Sequence, residues 1–246
     1  MRYRFFCSPF FLSLLCVNLV AMKKKIVFIT GAGMSAESGI STFRDSDGMW
    51  ENYNVSDVAD IKGWYRNPSL VLDFYNNMRR SLESKQPNAG HLAIAALEKD
   101  VEVQVITQNV DDLHERAGST QVLHLHGELT KACDESKTVV ESIGYADIHI
   151  GDKIGQTQAR PFIVWFGEAV PEFENAVRML SDADVVVVVG TSLQVYPAAG
   201  LLNYAPSGVP VYLVDPKPAQ TVRPVRCIAK KATEGLKQLV EELKKI

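Results

Sequence analysis

The chain has 246 residues, of which 46% are apolar and 22% charged, with a formal net charge of −3. That suits one large globular domain, or a large domain with a small insert, with a full buried core. The mild acidity argues against a general nucleic-acid binder, which would carry a basic face. Four scattered cysteines, Cys7, Cys16, Cys133 and Cys227, argue against a disulfide scaffold and against a zinc site of paired C-x2-C ligands.

In chain order, Met1 to Ala21 comes first, with Arg2 and Arg4 ahead of an apolar run from Phe5. It reads either as a secretory signal peptide or as a start codon assigned too early. The second reading is preferred, because Met22-Lys23-Lys24-Lys25 leads straight into a first core strand. Residues 1–21 are therefore set aside from the fold. Ile26 to Thr30 is that strand. Thr30-Gly31-Ala32-Gly33-Met34-Ser35-Ala36 follows it and matches G-x-G-x-x-A, with a helix expected to open there. Glycines at such a place permit a tight turn and close backbone approach to a pyrophosphate at a helix N-terminus. A hydride-transferring dehydrogenase would place an acidic residue after a second strand, about twenty residues on. Here that place holds Phe43-Arg44-Asp45-Ser46-Asp47 with no strand before it, so the cofactor half is expected to be rearranged.

Asp45 to Gln86 is polar and aromatic and reads as helices without a strong strand. Asn88 to Lys99 reads as a helix and Val101 to Thr107 as a strand, with Gln108, Asn109 and Asp111 at its end, where α/β sites collect ligands. An Asn-Val-Asp-Asp turn capping the next helix also fits, and Asp112 can do that capping. Lys131 to Arg160 is polar, with Gly144, Gly151 and Gly155 spaced through it. Pro161 to Phe166 is a further short strand near a loop, and Phe173 to Ser181 a helix. Val185 to Val189, all valine, and Val209 to Val214 read as strands buried on both faces. Thr233 to Lys245 places Leu236, Leu239, Val240 and Leu243 on one helix face. The alternation predicts an α/β fold, a Rossmann-like doubly wound parallel sheet with a smaller inserted lobe. The larger lobe takes about 22–44, 87–130 and 160–246; the smaller takes the insertions at about 45–86 and 131–159.

One ordered set of motifs goes further. The glycine loop continues as Glu37-Ser38-Gly39-Ile40-Ser41-Thr42-Phe43-Arg44. After it come Thr107-Gln108-Asn109-Val110-Asp111, His124-Leu125-His126-Gly127-Glu128-Leu129, Phe166-Gly167-Glu168-Ala169-Val170-Pro171 and Gly190-Thr191-Ser192. From about Lys25 to the C-terminus this resembles the sirtuin family. The resemblance implies an NAD-dependent protein-lysine deacylase, acting on acyl-lysine proteins or peptides, with no direct nucleic-acid or membrane partner. It implies that Gly31, Ala32, Gly33 and Ser35 hold the NAD⁺ phosphates, with Arg44 beside them as a permanent cation. Phe43 caps the nicotinamide side of the pocket, or simply packs in the core. Gln108 and Asn109 face the nicotinamide ribose, and Asp111 accepts from the carboxamide. Gly190, Thr191 and Ser192 take the phosphate and adenosine side. Asp215, where the family usually has Asn, takes the adenosine ribose, and Ala232 stands near adenine.

His126 is the candidate general base, since an imidazole titrating near pH ~6.5 can take a proton at neutral pH. Of the five histidines, His91 and His114 lie in helical stretches and His149 in the polar insert. His124 is the rival, but only His126 directly precedes glycine, as in the family motif. The implied chemistry is attack of the acyl oxygen on C1′ as nicotinamide leaves. His126 then deprotonates a ribose hydroxyl, and water completes release of free lysine and O-acyl-ADP-ribose. Phe166, Gly167, Glu168 and Val170 are expected to pair with the substrate backbone. Trp165 and Phe166 are expected to line the acyl-lysine tunnel, with plain core packing the rival reading for both. The implied NAD⁺ pool places the protein in the cytoplasm, or outside the cell if residues 1–21 are a true signal.

The chain departs from the pattern in two places. Many sirtuins have two C-x2-C pairs after the His-Gly motif; this chain has Cys133 alone, followed by Asp134-Glu135-Ser136, so no zinc is expected. The branch that takes acidic acyl chains has a Tyr-x-x-Arg pair. Here Tyr75 is present, Met78 holds the Arg position, and Arg79 stands one residue on, about a hundred degrees round a helix. Ala59 matches a small residue that widens the pocket in that branch. Two other functions compete: an NAD-consuming ADP-ribosyltransferase or glycohydrolase, and a non-catalytic NAD-responsive module. The peptide-capturing segment argues against the first, and the intact His126 and Asp111 against the second.

Overall fold

The computed structural model describes residues 23–41, 53–221 and 223–246. The segment set aside at residues 1–21, together with Phe43 and Arg44, lies outside the described residues. Strand β1 (Lys25–Thr30) leads into a single helical turn, α1 (Ala32–Ser35). Helices α2 (Val55–Val58), α3 (Ile61–Arg66), α4 (Pro68–Glu83) and α5 (Ala89–Leu97) precede β2 (Glu102–Thr107). Next come α6 (Leu113–Arg116), β3 (Val122–His124), β4 (Gly127–Cys133), β5 (Val140–Ser142), β6 (Lys153–Ile154), β7 (Thr157–Gln158) and β8 (Arg160–Ile163). Helix α7 (Phe173–Leu180), β9 (Val185–Val189), β10 (Val211–Val214), β11 (Arg226–Ile228) and α8 (Ala232–Leu243) complete the order.

Six strands form one parallel sheet in the order β11-β10-β9-β1-β2-β3. Its central strands are apolar on both sides because both faces are covered. Ile26 and Phe28 of β1 share a buried cluster with Val185, Val187 and Val189 and with Leu236, Leu239 and Leu243 of α8. Val27 and Ile29 point the other way, into a cluster with Val186, Val188 and Leu180 of α7. This is the doubly wound, Rossmann-like arrangement that the alternating pattern predicts. The chain winds to β2 and β3 on one side of β1 and to β9, β10 and β11 on the other. The topological switch point, where such sheets bind ligands, therefore lies between the ends of β1 and β9.

A third apolar cluster joins Leu72, Phe74 and Tyr75 of α4 to Leu129 and Ala132 of β4 and to Ile148, Ile163 and Trp165. It underlies a three-stranded sheet of order β5-β4-β8. Arg79 and Asn76 bind this unit together from within. Fully buried Arg79 donates from Nε to the Leu129 carbonyl (2.8 Å) and from Nη1 to Asn76 Oδ1 (2.7 Å) and the Ala146 carbonyl (3.1 Å). The Asn76 side chain closes both backbone groups of Ile148. Arg79 is thus a bolt between α4 and the 131–159 insertion.

Two expectations change. The helix expected after Gly31 is one turn, continued by a tighter turn to Ser38 and ended by Gly39 in the left-handed conformation. Its dipole is correspondingly short. The strand expected over 161–166 covers 160–163 and pairs antiparallel with β4, outside the main sheet. The edge strands β3 and β11 were not anticipated, because three residues of mixed polarity carry no period.

Candidate active site

The loops that follow β1 and β9 meet at the switch point. Gly33 N donates to the Gly190 carbonyl (2.8 Å), and Gly31 N to that of Val189 (3.0 Å). A Cβ on Gly33 would stand 2.7 Å from Gly190 Cα, and one on Gly31 2.7 Å from Thr191 Cβ. Gly190, at φ +60°, would put a Cβ 2.4 Å from Met34 N. The glycines are therefore demanded first by contact between the two loops. A cofactor would lie against a cradle whose floor is bare backbone. Gln108, following β2, ties the third loop in by donating from Nε2 to Thr191 Oγ1 (3.0 Å), which also accepts from Leu193 N. Ala32 and Ser192 flank this junction half-buried.

Beneath it lies a closed polar relay. Asn109 Nδ2 donates to Ser35 Oγ (3.0 Å), and Ser35 Oγ donates to Asp111 Oδ2 (2.9 Å), all three residues being buried. Asp111 Oδ1 accepts from Leu113 N at the start of α6 (3.2 Å), so Asp111 caps that helix as well as facing the cluster. Asp112, the other capping candidate, instead accepts from the Tyr145 hydroxyl. Burial pushes the Asp111 carboxyl up, against the two bonds that lower it.

The histidine segment closes the group. His126 Nδ1 lies 3.0 Å from the Gln108 carbonyl. A carbonyl only accepts, so Nδ1 carries the hydrogen and Nε2 keeps its lone pair. That Nε2 makes no hydrogen bond among the described residues. Burial lowers the imidazole below its ordinary 6.5, partly opposed by the bond to Gln108. The ring is therefore neutral at pH 7. His124, the rival base, has both nitrogens engaged, Nδ1 with the Asn109 carbonyl (2.9 Å) and Nε2 with Glu115 Oε1 (2.8 Å). It has no lone pair to offer.

On the other side, the residues expected at the substrate are closely packed. Trp165 lies in the core. Its ring is 2% exposed, stacked on Trp64, with Arg160 over its face at 3.7 Å and Nε1 donating to the Tyr75 hydroxyl (2.9 Å). Tyr75 is equally buried, and burial raises its phenol. The Glu168 carboxylate turns inward to Arg160 (2.9 and 3.0 Å), Lys137 (2.8 Å) and Trp165 N (2.8 Å). Its side chain is therefore spent before any substrate arrives. Phe166 exposes half its ring, but its backbone N–H and carbonyl already pair with Ala59 and Ile61. Further along, Glu168 N donates to the Trp165 carbonyl (3.1 Å), and the Val170 carbonyl accepts from Phe173 N (3.2 Å). Asp215 Oδ1 accepts from Lys217 N (2.7 Å) in the turn after β10. Buried Ala232 opens α8, whose neighbour Thr233 donates to Glu37.

The donor set around Cys133 does not fit a tetrahedral metal. The thiol is buried, points at the Pro161 carbonyl (3.8 Å), and is pushed up to about 11 by burial. Ser136 and Thr138 donate instead to Asp134, whose Oδ1 also accepts Val139 N, which holds that carboxyl down at about 2. Among the described residues no group of three or more His, Cys, Asp or Glu side chains could hold a metal ion.

The Sir2 family profile matches residues 31–197, which contain the two glycine loops, the Gln108–Asp111 loop and the histidine segment. The chain belongs to the Sir2 family. It is 54% identical to an NAD-dependent protein deacylase of Bacteroides thetaiotaomicron over 91% of this chain and 97% of that one. A Helicobacter pylori protein of the same name is 47% identical over 89% and 97%. Among solved structures, a Sir2 homologue in complex with NAD superposes with TM-score 0.81 at 37% identity, covering 91% of this chain and 90% of the other. A Sir2 homologue mutant with ADP-ribose gives 0.83 at 36% identity. Three residues that the sequence did not single out, Thr30, Thr107 and Glu115, bond within this group. The first two form a buried hydroxyl pair (2.9 Å) under the loops, with His114 on Thr30 (3.1 Å). Their signal was a threonine closing each of two adjacent strands. The signal for His124 was its two-residue spacing from His126, which puts two side chains on one side of an extended segment.

Proposed function

We propose that the chain is an NAD-dependent protein-lysine deacylase, with nicotinamide, O-acyl-ADP-ribose and free lysine as products. The carrying observation is the neutral His126, whose Nδ1 is fixed on the Gln108 carbonyl and whose Nε2 makes no hydrogen bond among the described residues, next in the loop to the Ser35–Asn109–Asp111 relay. NAD⁺ fits the bare-backbone cradle at the switch point, and when bound it supplies a ribose carbon that loses nicotinamide and a hydroxyl that takes the acyl group. Gly31, Ala32, Gly33 and Ser35 would hold its phosphates, with Gly190, Thr191 and Ser192 toward the adenosine. Asp215 keeps Oδ2 for the adenosine ribose and would repel a 2′-phosphate, which favours NAD⁺ over NADP⁺. Asp111 accepts from the carboxamide while Asn109 orients the ribose. His126 Nε2 takes the hydroxyl proton, its lowered basicity keeping it neutral at working pH. The backbone from Gly167 to Val170 receives the peptide.

An acetyl chain is the preferred acyl group. Met78, half-buried and apolar, stands where an acid-recognising pocket has its cation, and Arg79 is already bonded inside the small unit. No described helix is long and apolar enough to cross a membrane. We place the enzyme in the cytoplasm, where NAD⁺ and acylated proteins coexist. The test is a panel of acyl-lysine peptides incubated with NAD⁺. Peptide-dependent nicotinamide release with O-acyl-ADP-ribose in equal amount is expected. NAD⁺ consumption that ignores the peptide would make the protein a glycohydrolase instead.

A further inference from the structure

The loop that joins β2 to α6 carries Gln108, Asn109 and Asp111, and four successive carbonyls hold it. Leu125 N donates to Thr107, His126 Nδ1 to Gln108, His124 Nδ1 to Asn109 and Leu129 N to Val110. Two of these four bonds come from backbone and cannot be tuned. The third belongs to the proposed base. The fourth, His124, belongs to a ring with no place in the chemistry, yet it is buried and tied at its far end to Glu115.

Both partners of His124 are acceptors: a carbonyl on Nδ1 and a carboxylate on Nε2. Each nitrogen must therefore carry a hydrogen, which makes the ring an imidazolium. The surroundings agree. Glu115 on α6 and Glu128 on β4 favour its charge, and so does the Asn109 carbonyl. His114, the nearby histidine, is held well below 6.5, chiefly by burial and further by its neighbours His91 and His124. Asp111 on the loop feels the His124 charge in the opposite sense, as an anion stabilised by it. Lys131 pairs with Glu128 and also faces Glu115. The net result raises His124 above its ordinary 6.5 despite burial.

We propose that the Glu115–His124 ion pair is a positioning device for the deacylation site. Glu115 braces the ring, and the ring holds the Asn109 carbonyl, so that the Asn109 amide meets Ser35 and the relay to Asp111 stays closed. The inference rests on the deacylase reading. When His124 loses its proton at alkaline pH, its Nε2 lone pair faces the Glu115 carboxylate and the brace fails. The activity then has an alkaline limb set by His124 and an acid limb set by His126.

The test is kcat and KM for NAD⁺ and acetyl-peptide across pH, with thermal unfolding of each variant. Wild-type turnover establishes the deacylase reading independently of the variants. Glu115→Ala removes the brace and is expected to lower kcat about tenfold, while KM for the peptide hardly moves. Glu115→Gln can donate to an unprotonated Nε2, so it should keep most of the activity and abolish the alkaline limb. His124→Ala should lose more than Glu115→Ala, and His124→Asn, whose amide can donate where Nδ1 did, should recover part of it. Glu115 is 40% exposed, so its variants report even if those of His124 fail to fold. Wild-type kcat in Glu115→Ala, or the same pH profile in wild type and Glu115→Gln, would overturn the proposal. So would a lower Tm with unchanged turnover per folded molecule.

Discussion

Asn109 Nδ2 donates to Ser35 Oγ at 3.0 Å, and that hydroxyl in turn spends its only hydrogen on Asp111. One side chain from the β1 loop thus orients two from the β2 loop. Ser35→Ala leaves the Asn109 amide and the Asp111 carboxylate buried and short of a partner. The expected result is a fall in kcat/KM for NAD⁺ of roughly ten- to a hundredfold, about 1–3 kcal/mol for the stranded groups. Steady-state kinetics at saturating peptide check it; an unchanged value would detach Ser35 from the site.

The meeting of the two glycine loops makes a graded prediction. In Gly33→Ala the new Cβ meets the Gly190 backbone at 2.7 Å, which must move. Gly190→Ala adds a left-handed φ of +60° to a 2.4 Å contact with Met34 N. Both should lower Tm and activity together, by about 1–3 kcal/mol for the overpacking in Gly33→Ala and by more in Gly190→Ala. Calorimetry of both variants tests the order, and a tolerated Gly190→Ala contradicts the packing.

The proposed acyl preference turns on position 78. Wild type should remove acetyl faster than succinyl, since the Met78 side chain offers no charge and Arg79 is held by Leu129, Asn76 and Ala146. Met78→Arg should raise succinyl-peptide kcat/KM about tenfold or more, the scale of one charge-assisted hydrogen bond. Equal rates on the two peptides in wild type would show that a cation already reaches the acyl tail.

Much of this was legible in the sequence, for physical reasons. Continuous valine and isoleucine runs belong to strands covered on both faces, and β1, β2, β9 and β10 appeared where those runs lie. The apolar face of α8 was equally plain. The loop residues at strand ends converge because every strand of a parallel sheet ends on the same side. What stayed hidden depends on partners far apart in sequence. Nothing local shows that Glu168 will turn to Arg160, that Trp165 will be sealed by Trp64 and Tyr75, or that Arg79 will reach Leu129. The two-residue strands β6 and β7 in the polar insert had no pattern to read.

The small unit is expected to stand without metal, on Asp134 and on the Arg160–Glu168–Lys137 cluster. Chelation should leave Tm unchanged, and elemental analysis should find no stoichiometric zinc. Glu168→Ala strands Arg160, which is 1% exposed, and should cost about 3 kcal/mol, read as a fall in Tm of roughly 10 °C. One zinc per chain, or a chelator-sensitive Tm, would contradict this.

The measurement that bears most directly on the whole account is turnover of His126→Ala beside wild type, with NAD⁺ affinity and pH profile recorded for both. Wild-type kcat should rise with pH through an ionisation below 6.5, because burial lowers the His126 imidazole and only its neutral form accepts a proton. The variant should lose about 10²–10⁴-fold in kcat, keep most of its affinity for NAD⁺, and show no such acid limb. Wild-type turnover in the variant, or an acid limb that survives the loss of the imidazole, would contradict it.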